Sequence, residues 1–206
     1  MEPFVRLTGV AAPILTGNVN TDVLVRVEAM INVPKGKLGP YCFEVWRYLP
    51  DRSDNPDFIL NQPAYRNAKI LLAGVNFGCG SSREPAVWAL WDMGFRCVIA
   101  PSFGDIFFNN CFQSGMLPIV LPADVIVSLA EDAKAFGDVA PDFTVDLERQ
   151  VIIAPSGRQT PFKVDELKRH ALLEGLDDIG VTLAIAQRIT DFQTADRNAR
   201  PWVYNV

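Results

Sequence analysis

The sequence predicts an α/β fold organised around a parallel β-sheet, and three observations carry that expectation. Lys69-Ile-Leu-Leu-Ala-Gly-Val75 is an apolar run of the length of a buried strand. A glycine-rich turn follows it, then Ala86 to Met93 with helical composition, then a second apolar run, Arg96 to Ala100. Residues 69–100 therefore read as a β-α-β unit, a parallel pair with a right-handed crossover. The third observation is the strict alternation of Phe143-Thr-Val-Asp-Leu-Glu148, which marks an antiparallel strand with one wet face.

Along the chain, residues 4–15 are apolar enough for a first strand. Gly17-Asn-Val-Asn-Thr-Asp22 is dense in turn formers and leads into Val23-Leu-Val25, read as a short strand. Asn32 to Pro40 holds two glycines and two prolines in nine residues, which excludes a regular element. Tyr41 to Leu49 reads as a short helix ending before Pro50, and 51–57 as a polar surface loop. After the turn, Pro85 suits a first helical turn and Ser81 or Ser82 its N-cap. Phe103 to Cys111 reads as a second helix and Leu117 to Leu121 as a third core strand. Ala123 to Phe136 is patterned as an amphipathic helix closed by Gly137. The alternating strand, Gln150 to Ile153 and Thr160 to Val164 make a small antiparallel meander. Val164 to Glu174 is a helix ending at Gly175, and Asp178 to about Phe192 is the last. Residues 1–193 are expected to be one domain and 194–206 a polar C-terminal arm.

Composition narrows the function. The chain has 206 residues, 49% apolar and 21% charged, which suits one domain with a sizeable core. Its net charge of −5 argues against a nucleic-acid partner. No run is long and apolar enough for a membrane span, and the N-terminus does not read as a signal peptide. Of the four cysteines, none forms a C-x-x-C pair, so no metal site is expected in this chain. Cys97 and Cys111 sit in apolar surroundings and read as buried thiols. The compartment reads as reducing, hence cytoplasmic. His170 is the only histidine and reads as a surface residue in a Lys-Arg-rich segment.

Three segments carry candidate chemistry. In Asn76-Phe-Gly-Cys-Gly-Ser-Ser-Arg-Glu-Pro85, Gly78 and Gly80 let backbone N–H groups approach a ligand. Ser81 and Ser82 add hydroxyls, and Arg83 a planar fork matched to a carboxylate. Cations, N–H donors and a helix N-terminus together would stabilise a serine alkoxide able to take a proton beside that carboxylate. The plain alternative is a capped turn. The motif is neither a Walker loop nor a dinucleotide fingerprint. The second segment is Asn18-Val-Asn-Thr-Asp22, an Asx turn unless Asp22 partners an arginine. The third is the loop 34–41, with Lys35, Lys37, Leu38 and Tyr41, which is either a solvated connector or a pocket lining.

Taken in order, these segments resemble one family. Asn18-Val-Asn-Thr-Asp22, Phe43-x-x-Trp-Arg47, Asn55-Pro-Asp-Phe-x-Leu-Asn61, Asn76 to Glu84, Val98-Ile-Ala-Pro-Ser-Phe103, Asp105-Ile-Phe107 and Leu117-Pro118 are similar to the small subunits of isopropylmalate isomerase. These are the detached swivel domains of the aconitase superfamily, and the resemblance runs from about Phe4 to about Ile185. It implies a swivelling β/β/α domain, a partly open β core with flanking helices. It implies a hydro-lyase subunit of leucine biosynthesis, inactive without a large subunit that carries a [4Fe-4S] cluster on three cysteines. The substrate would be a small dicarboxylate. On this chain Ser81 would be the base that removes the carbon-bound proton, and Arg83 would bind a substrate carboxylate. Ser82 would support both, Thr21 and Asp22 would face the cleft, and Lys37 and Leu38 would line it. Cys79 would not be a cluster ligand.

The chain departs from the family pattern at three places. Pro85 stands where histidine is usual, Val23-Leu-Val-Arg26 where x-Ile-Ile-Pro is usual, and Gly36-Lys-Leu-Gly39 where Thr-Gly-Phe-Gly is common. An apolar loop suits an isopropyl tail. Lys37, or Arg26 turned inward, suits a second polar group, as in a paralogous hydro-lyase acting on another substituted malate such as citramalate or dimethylmalate. A non-catalytic binding module of the same fold is the reading from another class.

Overall fold

A computed structural model describes residues 1–80 and 83–204. Its centre is one seven-stranded sheet in the order β4-β3-β2-β1-β5-β6-β7. β1 (Arg6–Ile14), β2 (Ile70–Ala73), β3 (Cys97–Ala100) and β4 (Leu117–Val120) run parallel. β5 (Asp142–Asp146), β6 (Val151–Ile153) and β7 (Gln159–Pro161) form the antiparallel meander. β1 joins the halves by dividing its length. Arg6 to Val10 pair with β5, and Ala11 to Ile14 pair with β2. Pro13 lies beyond the last β5 pair, so on that side its missing N–H breaks no ladder bond. Pro118 is tolerated for a similar reason, because β4 is an edge strand.

The parallel strands read as continuous apolar runs because both faces are covered. The two-residue period sends Ala12, Leu71, Ala73 and Val98 into one core, and Ala11, Ile70, Leu72 and Ile99 into the other. The first core is closed by α1 (Thr21–Leu24), α2 (Val27–Asn32), α4 (Glu84–Met93) and α5 (Asp105–Gln113), with Phe43 above α3 (Glu44–Arg47). The second is closed by α6 (Ala123–Asp132) and α7 (Glu166–Glu174), through Ile126, Leu129 and Leu172.

Several expectations need correction. Val23-Leu-Val25 is not a strand. Asn20 Oδ1 accepts a hydrogen bond from the Val23 N–H at 2.9 Å and starts α1, overriding the β-branched composition. The expected 41–49 helix is split into a 3₁₀ turn, Gly39–Tyr41, and α3, because Phe43 sits between them at φ +55°. The N-cap position of α4 is Arg83 rather than a serine, and its side chain makes no cap bond. α6 ends at Asp132, before Gly137, because the Tyr65 hydroxyl donates to Ala133 O and accepts from the Ala135 N–H. The last helix, expected over Asp178 to about Phe192, is two helices, α8 (Asp178–Ala184) and α9 (Ala186–Ala199). Among the described residues no helix is long and apolar enough to cross a membrane.

Candidate functional site

Two of the three candidate segments leave the sheet at one edge, the C-terminal ends of β1 and β2, with the turn after β3 beside them. Residues 15–22 follow the C-terminal end of β1, 74–80 that of β2, and 101–104 that of β3. In an open α/β sheet this edge is where ligands bind. The segments stay in register after the strands stop, through parallel bridges between Asn20 and Cys79 and between Phe77 and Phe103. Gly78 N–H donates to Val19 O at 2.7 Å, and Thr21 N–H to Cys79 O at 3.0 Å. On the other flank Phe77 N–H donates to Ser102 O at 3.0 Å, and Gly104 N–H to Phe77 O at 2.9 Å. The glycine turn is thus gripped from both sides.

Glycine is required where the grip is tightest. Gly78 has φ +70°, and a Cβ there would lie 2.2 Å from the Phe107 ring. A Cβ on Gly104 would lie 2.6 Å from Gly78 O. These contacts bring the turn down onto α5, and α4 departs from its far end with Arg83 at the N-cap position. Arg83 is 33% exposed; its Nη1 is 3.8 Å from Met30 Sδ and 4.0 Å from Asp22 Oδ1. Both contacts are weak for a guanidinium, which pairs with a fitted carboxylate at about 2.7–2.9 Å. The arginine is directed by its neighbours without being consumed by them.

The structure therefore brings Thr21, Asp22 and Arg83 together around the turn. Thr21 is 1% exposed and lies under it, its Oγ1 3.8 Å from the position a Cβ would take on Gly80. Asp22 is exposed. Ser81 and Ser82, the expected base and its neighbour, lie outside the described residues. The loop 34–41 is docked along α4. Leu38 N–H donates to Asp92 Oδ2 at 2.9 Å, Arg47 Nη1 donates to Gly39 O at 3.2 Å, and Lys35 Nζ lies 4.5 Å from the centre of the Trp88 ring. Leu38, expected at a pocket wall, is a core side chain at 1% exposure. Its carbon chain is drawn inward because Asp92 fixes its backbone against α4. Lys37 is exposed on the same loop. Arg26 precedes α2 and pairs with Glu28 at 3.5 Å.

Sequence reasoning missed how the turn is tied. Asn18 and Asn76 both have positive φ, +56° and +59°, and Asn76 Nδ2 donates to Asn18 Oδ1 at 2.8 Å. The Asn76 N–H donates to Ser102 Oγ at 2.9 Å. Asparagine at the head of each turn was the available signal, since it is among the residues that tolerate the left-handed region.

The cysteines do not fit a cluster. All four are free thiols, and Cys42, Cys97 and Cys111 are buried. Burial pushes these three thiols well above their ordinary range, which keeps them neutral and poor as ligands. Cys79 alone is partly exposed. Among the described residues no group of three or more His, Cys, Asp or Glu is placed to hold a metal ion.

Comparison with known proteins identifies the family. The family model described as the aconitase C-terminal domain matches residues 1–124, and a second, LeuD_N, matches residues 129–166. A Cereibacter sphaeroides protein named 3-isopropylmalate dehydratase small subunit is 50% identical over 203 residues, covering 98% of this chain and all of that one. A protein of the same name from Agrobacterium fabrum is 50% identical over 202 residues, with the same coverage. The crystal structure of 3-isopropylmalate dehydratase from Methanocaldococcus jannaschii superposes with a TM-score of 0.64 at 23% identity, covering 91% of this chain and 99% of that one. That likeness shows a shared fold.

Proposed function

The chain belongs to the aconitase C-terminal-domain family, and within it to the small subunits of 3-isopropylmalate dehydratase, and from that premise we propose that its glycine-serine-arginine turn is one half of a hydro-lyase active site completed by a large subunit. The substrate is 2-isopropylmalate, a small dicarboxylate of leucine biosynthesis. It is isomerised to 3-isopropylmalate by loss of water and its return to the neighbouring carbon. Dehydration removes a proton from a carbon beside a carboxylate and hydroxide from the next carbon. The part borne by this chain is the proton and the carboxylate. Arg83 forks onto the carboxylate, and Ser81 takes the proton and returns it on rehydration. Ser82 and the turn's N–H groups support the charge. Thr21 holds the turn from below and Asp22 orients Arg83.

The observation that carries this reading is the placement of Arg83. It stands at the start of α4, at the ligand-binding edge of the parallel sheet, with only loose contacts to Asp22 and Met30. The [4Fe-4S] cluster is assigned to the large subunit, a reading that the buried thiols and the single half-exposed cysteine of this chain support. The four free thiols suit a reducing, cytoplasmic setting.

The test is turnover of the complex reconstituted anaerobically from this chain and its large subunit. Comparing kcat/KM for 2-isopropylmalate, citramalate, dimethylmalate and citrate should give a clear preference for 2-isopropylmalate. A preference for another malate would assign the exposed Lys37 to a second polar group of the substrate and remove the chain from leucine biosynthesis.

A further inference from the structure

We propose that Asn18 and Asn76 form a clasp that sets the separation of Asp22 and Arg83, so that both asparagines are positioning residues for the reaction; this rests on the functional reading above. Two segments lead to the two charged groups: residues 17–22 carry Asp22, and residues 75–80 precede Arg83 at the N-cap position of α4. They run side by side as a ladder. Its first rungs are Asn18 N–H to Val75 O at 2.8 Å and Asn76 Nδ2–H to Asn18 Oδ1 at 2.8 Å. The next are Gly78 N–H to Val19 O at 2.7 Å and Thr21 N–H to Cys79 O at 3.0 Å. The last is the pair of Asp22 and Arg83 at 4.0 Å. Asn76 also holds the third loop, through its N–H and Ser102 Oγ. One residue therefore joins the turns that follow three parallel strands.

The pair makes poor sense as a stabilising device. Both residues occupy the left-handed region, which costs a non-glycine residue conformational energy. Their shared hydrogen bond is exposed and so returns little net stability. What it does is fix register. Each left-handed residue turns its chain a few residues past its strand, β1 ending at Ile14 and β2 at Ala73, and the amide bond fixes one turn against the other. A small slip at this end moves Thr21, and with it Asp22, against Arg83, and misplacement of about 1 Å at a reacting group costs on the order of 10²-fold in rate.

Glycine substitutions separate the backbone from the side chain. Asn18→Gly and Asn76→Gly accept the same φ without strain and remove only the amide bond. In the full-length chain, each should leave the melting temperature within about 3 °C of wild type. Each should speed amide exchange at Thr21 and Gly78 by about tenfold while β2 amides hold their rates. In the reconstituted complex each should lower kcat about tenfold and raise KM for 2-isopropylmalate at least about threefold. A lower folded fraction would leave KM unchanged. The double variant should be no worse than either single. Unchanged exchange, unchanged KM in both variants, or a double loss equal to the product of the singles would overturn the clasp. If the wild-type complex itself shows no turnover, the functional reading fails, and the exchange rates still decide the clasp.

Discussion

Arg83 is held loosely for an arginine beside a carboxylate, as the carboxylate-binding role proposed for it requires. An arginine locked in a bidentate pair with Asp22 could not take a second carboxylate without breaking the first. Arg83→Lys keeps the charge and loses the fork, so kcat/KM should fall by about 10²-fold in the reconstituted complex while the melting temperature holds. Ser81→Ala removes one hydroxyl from the turn. It should lower kcat by about 10²–10⁴-fold, the usual worth of a general base, with little change in stability. Near-wild-type turnover in Ser81→Ala would assign the proton to another group. These residues could be proposed from the sequence because their chemistry is local: two hydroxyls and a fork after two glycines. Leu38 was not legible. A leucine between lysine and glycine reads as a loop residue, and only the bond from its N–H to Asp92, far away in sequence, turns it into the core.

At the scale of elements, the same contrast separates β2, α4 and β3 from α1 and α6. The first three were readable because a buried strand needs an unbroken apolar run and a helix after it needs a turn. α1 was misread because one capping bond from Asn20 outweighs the strand propensity of Val23 and Val25. Asn20→Ala should therefore cost about 1 kcal/mol in urea denaturation, with exchange at the Val23 amide rising before the rest. The end of α6 depends on a hydroxyl from a residue 68 positions away, Tyr65, bonded to Ala133 O. Tyr65→Phe leaves the Ala133 carbonyl and the Ala135 N–H without it, and should destabilise the chain by about 1–3 kcal/mol with unaltered kcat in the complex.

At the scale of the whole molecule, three buried thiols tie stability to alkaline pH. Burial raises the folded-state pKa of Cys42, Cys97 and Cys111 above the ordinary value of 9.0. Below that value the thiols are protonated folded and unfolded alike, and full stability is present. As pH rises past it, only the unfolded chain releases protons, so stability falls by up to about 1.4 kcal/mol per unit for each thiol. Urea midpoints from pH 7 to 10 should drop above about 9, and a flat profile would contradict the burial. A thiol reagent should label Cys79 in the native chain and the other three only on unfolding. The sequence by itself determined the parallel β-α-β centre and the antiparallel meander, and it singled out Gly78, Gly80 and Arg83 after β2, because each is written in a local period or a local set of side chains. Only the tertiary structure decided that β1 serves both halves of the sheet, that Asn18 meets Asn76, and that Asp22 stands near Arg83. Those facts depend on which strand ends lie side by side, and strand order is set by packing between segments distant in the chain, which no local pattern encodes.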